Sequence, residues 1–184
     1  PSEAFIVDLS NGNYHLIEKK VVIEGQKTAY FSEKFLEITV PVTTKEQIKE
    51  IKKTVTHIAK KHDEEPYKAL ATTQQAIFHQ LEEQDEIDAA AIFDKVFEEK
   101  PLAREAAQLA ITEERVPEKI AVTNVPKYER KYSKQKFKLD NGIEITIPSE
   151  IYENKEMVEF INNPDGSVSV LIKNIESILN KFNA

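Results

Sequence analysis

Six cations and two tyrosines fall between positions 127 and 138: Lys127, Tyr128, Arg130, Lys131, Tyr132, Lys134, Lys136 and Lys138. Lysine and arginine can neutralise phosphate, and a tyrosine ring can stack on a base. Residues 126–141 carry six basic and two acidic side chains, a local charge of +4 in a chain of net charge −7. These eight residues are the candidate DNA contacts. The same run also reads as a solvated linker ahead of a strand, with the tyrosines as packing groups.

A second arrangement could support catalysis. Glu18-x-Lys20 follows Asp8 after a strand-like segment, a loose match to the Asp…Glu-x-Lys pattern of metal-dependent nucleases. There, carboxylates hold a magnesium ion and the lysine stabilises charge at the phosphate. Glu50-x-Lys52 matches as well, so the pattern carries little information in a chain with 31% charged residues. His15, His57, His62 and His79 have no ligand spacing, and each of the four glycines falls in a turn signal. The expectation is a non-enzymatic protein with no catalytic residues, no metal site and no cofactor.

Composition sets the class. With 184 residues and 40% apolar content, the chain can bury a core. No apolar run reaches the roughly 18 residues that span a bilayer, so a membrane role is not expected. There is no cysteine, which removes disulfides and thiolate metal sites and fits a reducing compartment. Residues 66–125 hold six basic and twelve acidic side chains. That balance opposes groove recognition by helices in this region and a dedicated nucleic-acid coat role. The sole methionine is Met157 and the first residue is Pro1, from which a fragment of a longer protein is expected.

The elements that must position these residues follow from periodicity. Phe5–Leu9, Tyr14–Ile23 and Lys27–Phe31 read as a β-meander, with turns at 11–13 and 24–26. Phe35–Val42 is a further strand or the lead into a helix. Ile48, Ile51, Val55, Ile58 and Ala59 lie on one face of a helix to about His62, which Thr43 or Thr44 can cap. Its other face carries Lys45, Lys49, Lys52, Lys53, Lys60 and Lys61, which reads either as a phosphate-facing surface or, as the simpler expectation, as a solvated face with Glu46 beside Lys49 and Lys53. A second helix covers about Tyr67–Glu83, and 82–88 is an acidic turn. Asp88 caps a short helix burying Ala91, Ile92, Val96 and Phe97, and Pro101 opens another helix to about Arg115. Residues 118–125 are strand or linker, and Pro126–Lys136 is a mobile or extended connection. Asp140-Asn141-Gly142 and Asn163–Gly166 each turn a hairpin. Ile175, Ile178, Leu179 and Phe182 then line a terminal helix. The fold class is α+β, with a β-meander and helical region over 1–125 and a basic connection plus two-hairpin unit over 126–184.

FKLDNGIEITIPSEIY and VEFINNPDGSVSVLIKNI closely resemble the C-terminal part of the bacterial 37-kD nucleoid-associated protein family. NYHLIEKKVVIEGQKTAYFSEKFL, EEQDEIDAAAIFDKVFEEKP and ERVPEKI are similar to that family in the same order, so the resemblance runs from about Tyr14 to Ile175. It implies a cytoplasmic bacterial protein of the nucleoid that binds double-stranded DNA, without sequence preference, directly or through other nucleoid proteins. It supplies no catalytic or DNA-contacting residues. The alternative is a protein-interaction or homo-oligomerisation module that works through its acidic helices or an exposed sheet edge, with DNA contact made elsewhere in a longer chain.

Overall fold

The computed structural model describes residues 3–12, 14–23, 25–36 and 42–180. The chain is α+β as expected, and among the described residues its strands pair as five separate two-stranded antiparallel sheets, four of them hairpins. Two compact units divide it, residues 1–43 and 44–184. The boundary expected near 125 falls inside the second of these.

In the first unit, β1 (Ala4–Val7) pairs with β2 (Tyr14–Ile17), and β3 (Val21–Ile23) pairs with β4 (Gln26–Thr28). The expected meander is therefore two two-stranded hairpins. Tyr30–Phe35, expected in part as strand, is a π-helical turn. It forms because the Glu18 carboxylate reaches its first backbone N–H groups, accepting from Phe31 N and Ser32 N and, at 2.7 Å, from Ser32 Oγ. Residues 37–41, within the stretch read as strand or helix lead, lie outside the described residues.

The core of the second unit is helical. The chain runs through α1 (Thr44–Lys61), α2 (Pro66–Glu83), α3 (Ala89–Val96) and α4 (Pro101–Thr112). Helix α1 buries Ile48, Ile51, Val55, Ile58 and Ala59, as its spacing predicts. The Asp88 carboxylate caps α3 by accepting from Ala91 N at 2.9 Å. Ala91 itself is exposed, and Ala89, Ile92 and Phe93 take the interior at 0% exposure. The expected acidic turn contains β5 (Glu86–Asp88), paired with β6 (Lys119–Ala121). Ile87 and Ile120 anchor that ladder in the core, and Lys119 pairs with Glu86 at 2.9 Å.

Val125–Tyr132, where a mobile or extended connection is expected, is a helix, α5. The Asn124 side chain caps it by accepting from Lys127 N, and Pro126 sits in its first turn. Arg130 and Lys131 occupy the last turn, where cations complement the helix dipole. Val125 and Tyr128 pack on the core and Tyr132 belongs to it.

After α5, β7 (Lys134–Lys138) pairs with β8 (Glu144–Pro148), then comes the short α6 (Ser149–Tyr152). Strand β9 (Val158–Asn162) pairs with β10 (Val168–Ile172). The expected two-hairpin sheet is thus two separate sheets. Amide side chains tie this region to α2. Gln74 Nε2 donates to Lys134 O at 2.8 Å, Gln75 Nε2 to Ser149 O at 3.2 Å, and Gln135 Nε2 to Ala71 O at 2.9 Å. Tyr67, Phe137, Tyr152 and Phe160 form an aromatic cluster with centroid spacings from 5.1 to 5.9 Å.

The expected terminal helix does not form over 173–180, which has no regular structure. Asn174 adopts a φ of +55°, and Ile178 and Leu179 are 87% and 80% exposed. So short a helix is marginal without a surface to cover its apolar stripe, and none covers this one among the described residues. Phe182 lies outside them.

Candidate nucleic-acid interface

The candidate residues centre on α5. Tyr128 and Tyr132, four residues apart, stack with centroids 6.4 Å apart and planes inclined at 16°. Lys131 Nζ lies 5.2 Å from the Tyr132 ring centre, and Lys127 Nζ 5.8 Å from that of Tyr128. The ring quadrupoles attract both ammonium groups and hold them over the helix surface. Tyr132 is only 7% exposed, so its ring is mainly a packing group, and what it exposes lies at the wall of a cleft. Burial, then the neighbouring Tyr128, pushes its phenol up to about 12. Tyr128 is half-buried, and Lys127, Arg130 and Lys131 are exposed.

Lys131 joins two elements. Burial first, then the charges of Lys45, Lys52 and Lys127, holds its ammonium below the usual lysine value. The first two lie on α1. Positions 45, 49 and 52 fall on one exposed stripe of that helix, so α1 and α5 together present one cationic face. Lys52 also lines a cleft of 680 Å³ with Lys136 and Lys138 of β7. The face thus extends toward the hairpin, and Lys134 is exposed at the start of β7.

Among the described residues, none of these cations forms a salt bridge. The ion pairs lie elsewhere, as in Lys95–Glu153 at 3.1 Å and Lys100–Glu64 at 3.0 Å. Lys53, expected beside Glu46, pairs with Glu50 at 2.7 Å. Like charges gathered without counter-charge raise the local potential and favour a polyanion.

All six expected cations are at the surface, four of them continuous with this face through Lys131 and Lys52. Sequence reasoning missed Lys45 and Lys52 as neighbours of Lys131 on α5. Their stripe is visible in the spacing, but its juxtaposition with residues 80 positions later is not.

The nuclease pattern is not assembled. The Asp8 carboxylate closes its own turn, accepting from Ser10 N at 2.9 Å, Ser10 Oγ at 2.6 Å and Asn11 Nδ2 at 2.9 Å. Glu18 is engaged with the π-helical turn. Among the described residues, no group of three or more His, Asp or Glu could hold a metal ion. Burial pushes the Glu18 carboxyl up, but hydrogen bonds from the Ser32 hydroxyl and from Phe31 N and Ser32 N outweigh it. The net shift is below the ordinary value of 4.5. Such a group stabilises its contacts above its unfolded-state value, and the effect is lost as pH falls through the lowered folded-state value. The amide resonances of Phe31 and Ser32 should therefore titrate with a midpoint below 4.5.

The fold is α+β, and exposed lysines of α1 and α5 lie within electrostatic reach of one another without a salt bridge among the described residues. The family model described as nucleoid-associated protein YejK matches residues 2–180. The chain belongs to that family of nucleoid-associated proteins. No curated protein and no solved structure matches it. No helix among the described residues is long and apolar enough to cross a membrane.

Proposed function

We propose that this chain contacts double-stranded DNA directly in the bacterial nucleoid, without sequence preference and without catalysis. One observation carries the reading. Lys45 and Lys52 of α1 and Lys127 of α5 lie close enough to Lys131 for their charges to act on it, and among the described residues none of the four forms a salt bridge. Such a face gives phosphate contacts and releases counterions, and it makes no demand on base identity. The acidic surface over 66–125 repels DNA and orients the basic face toward it.

A duplex titration over several salt concentrations tests this. A face meeting four phosphates gives a slope of log K against log salt near −3.6, and loses about 10²-fold in affinity between about 50 and about 200 mM salt. A slope near zero, or no binding at low salt, removes direct contact.

A protein-interaction role is the second reading. What favours it is that β7 and β10, each with one edge that has no strand partner among the described residues, line one cleft.

A further inference from the structure

The cleft beside Lys52 has two walls made of backbone. In the β7–β8 ladder, Leu139 N donates to Ile143 O and Ser149 N to Ser133 O. The register pairs Lys136 with Thr146 and Lys138 with Glu144. Bonded and non-bonded pairs alternate along an antiparallel ladder, so the N–H and C=O groups of Lys136 and Lys138 point away from β8. The same alternation holds in β9–β10. Asn163 N donates to Ser167 O and Lys173 N to Met157 O, which turns the backbone groups of Val168 and Val170 away from β9. Among the described residues, β7 pairs only with β8 and β10 only with β9. Lys136, Lys138, Val168 and Val170 all line the one cleft.

We propose that this cleft binds an extended segment of a partner protein, which adds as a strand along the free edge of β7 with β10 at its flank. The proposal rests on the protein-interaction reading; Lys52, Lys136 and Lys138 belong to the cationic face as well as to the cleft, whereas Lys45 and Lys131 do not line the cleft. An unpaired edge offers its donors and acceptors to any extended chain, and side-chain pockets then select among them. On β7, Gln135 is buried and Phe137 half-buried toward α2, while Lys136 and Lys138 face outward. Alternate residues of an added strand therefore meet different surroundings. Those on one face lie over Leu70 and Ala71 of α2 and the ring of Phe137, which suits valine or isoleucine. Those on the other lie beside Lys136, Lys138 and Lys52, which suits aspartate or glutamate. Among the described residues, Asp140 is the one carboxylate lining the cleft, at its hairpin end. The volume of 680 Å³ is within the range of about 300–1,000 Å³ typical of ligand sites.

The test uses the full chain and a capped heptapeptide alternating glutamate and valine, followed by amide hydrogen exchange and titration. Binding should slow exchange at Lys136, Lys138, Val168 and Val170. The same peptide N-methylated at alternate residues should bind about tenfold more weakly, because it cannot complete the ladder. Val168→Pro removes an N–H that makes no bond to β9, at the first strand position, so it should weaken the peptide while keeping the hairpin. Lys136→Glu with Lys138→Glu should weaken it about tenfold through like-charge repulsion. Lys45→Ala with Lys131→Ala should leave the peptide unaffected, even where duplex binding falls. Equal affinity of the N-methylated peptide, or no protection at millimolar peptide, overturns the proposal. Protection of these amides by an oligothymidylate but not by the peptide also overturns it and makes the cleft a nucleotide site.

Discussion

Replacing Lys45, Lys52, Lys127 and Lys131 together by alanine is expected to abolish most duplex affinity while leaving the fold intact. All four side chains are exposed and none holds an ion pair among the described residues, so their removal breaks no salt bridge. Removing four positive charges takes the net charge from −7 to −11, which strengthens repulsion over the whole surface. Each lysine that meets a phosphate contributes about 0.9 to the salt slope, so the slope should fall by about 3.6 and affinity at low salt by 10²-fold or more. The circular dichroism spectrum should not change. Lys53→Ala is the control: that lysine is tied to Glu50 at 2.7 Å and should matter little. An unchanged slope in the quadruple variant would move DNA contact off α1 and α5.

The second large effect is on stability. Phe93 is 0% exposed in the middle of the helical core, and Phe93→Ala should cost about 3–5 kcal/mol through lost burial and the cavity left behind. That is a large share of the roughly 5–15 kcal/mol that holds a domain folded. The loss should reach α5, because Val125, Tyr128 and Tyr132 pack on the same core. Thermal denaturation of the variant should show residues 44–180 melting at lower temperature. Amide exchange should report the melting of α5 together with α1–α4. If α5 retained its protection while α3 lost it, the cationic face would not depend on this core.

What the sequence revealed and what it hid have physical causes. Helix α1 was legible because five apolar residues, Ile48 to Ala59, fall on one face over about three turns, and α3 because Asp88 is a local cap. Both hairpins after residue 133 were legible from their turns, where Gly142 and Gly166 adopt φ of +88° and +83°. Helix α5 was hidden by its shortness and charge. Its apolar side is only Val125, Tyr128 and Tyr132, and its capping residue is the unobtrusive Asn124. The terminal stripe of Ile175, Ile178 and Leu179 misled in the opposite sense, since a helical pattern needs a surface to lie on. The cationic face itself was half visible. Lysines 127–138 stand out as a run, but their meeting with Lys45 and Lys52 is a product of packing.

The amide ties from α2 bear on how the molecule comes into being. Gln74, Gln75 and Gln135 bond to partners 60 to 74 residues away along the chain. Contacts at such separation close large loops and form late. On a chain emerging from a ribosome, α1 would display its lysines long before α5 arrived beside them. The lysines of α5 join those of α1 only once Val125, Tyr128 and Tyr132 pack on the core, so under the proposed DNA contact a half-made chain would hold polyanions more weakly than a finished one. Affinity for phosphate would then mark the completion of folding, which keeps nascent chains from engaging nucleic acid too early.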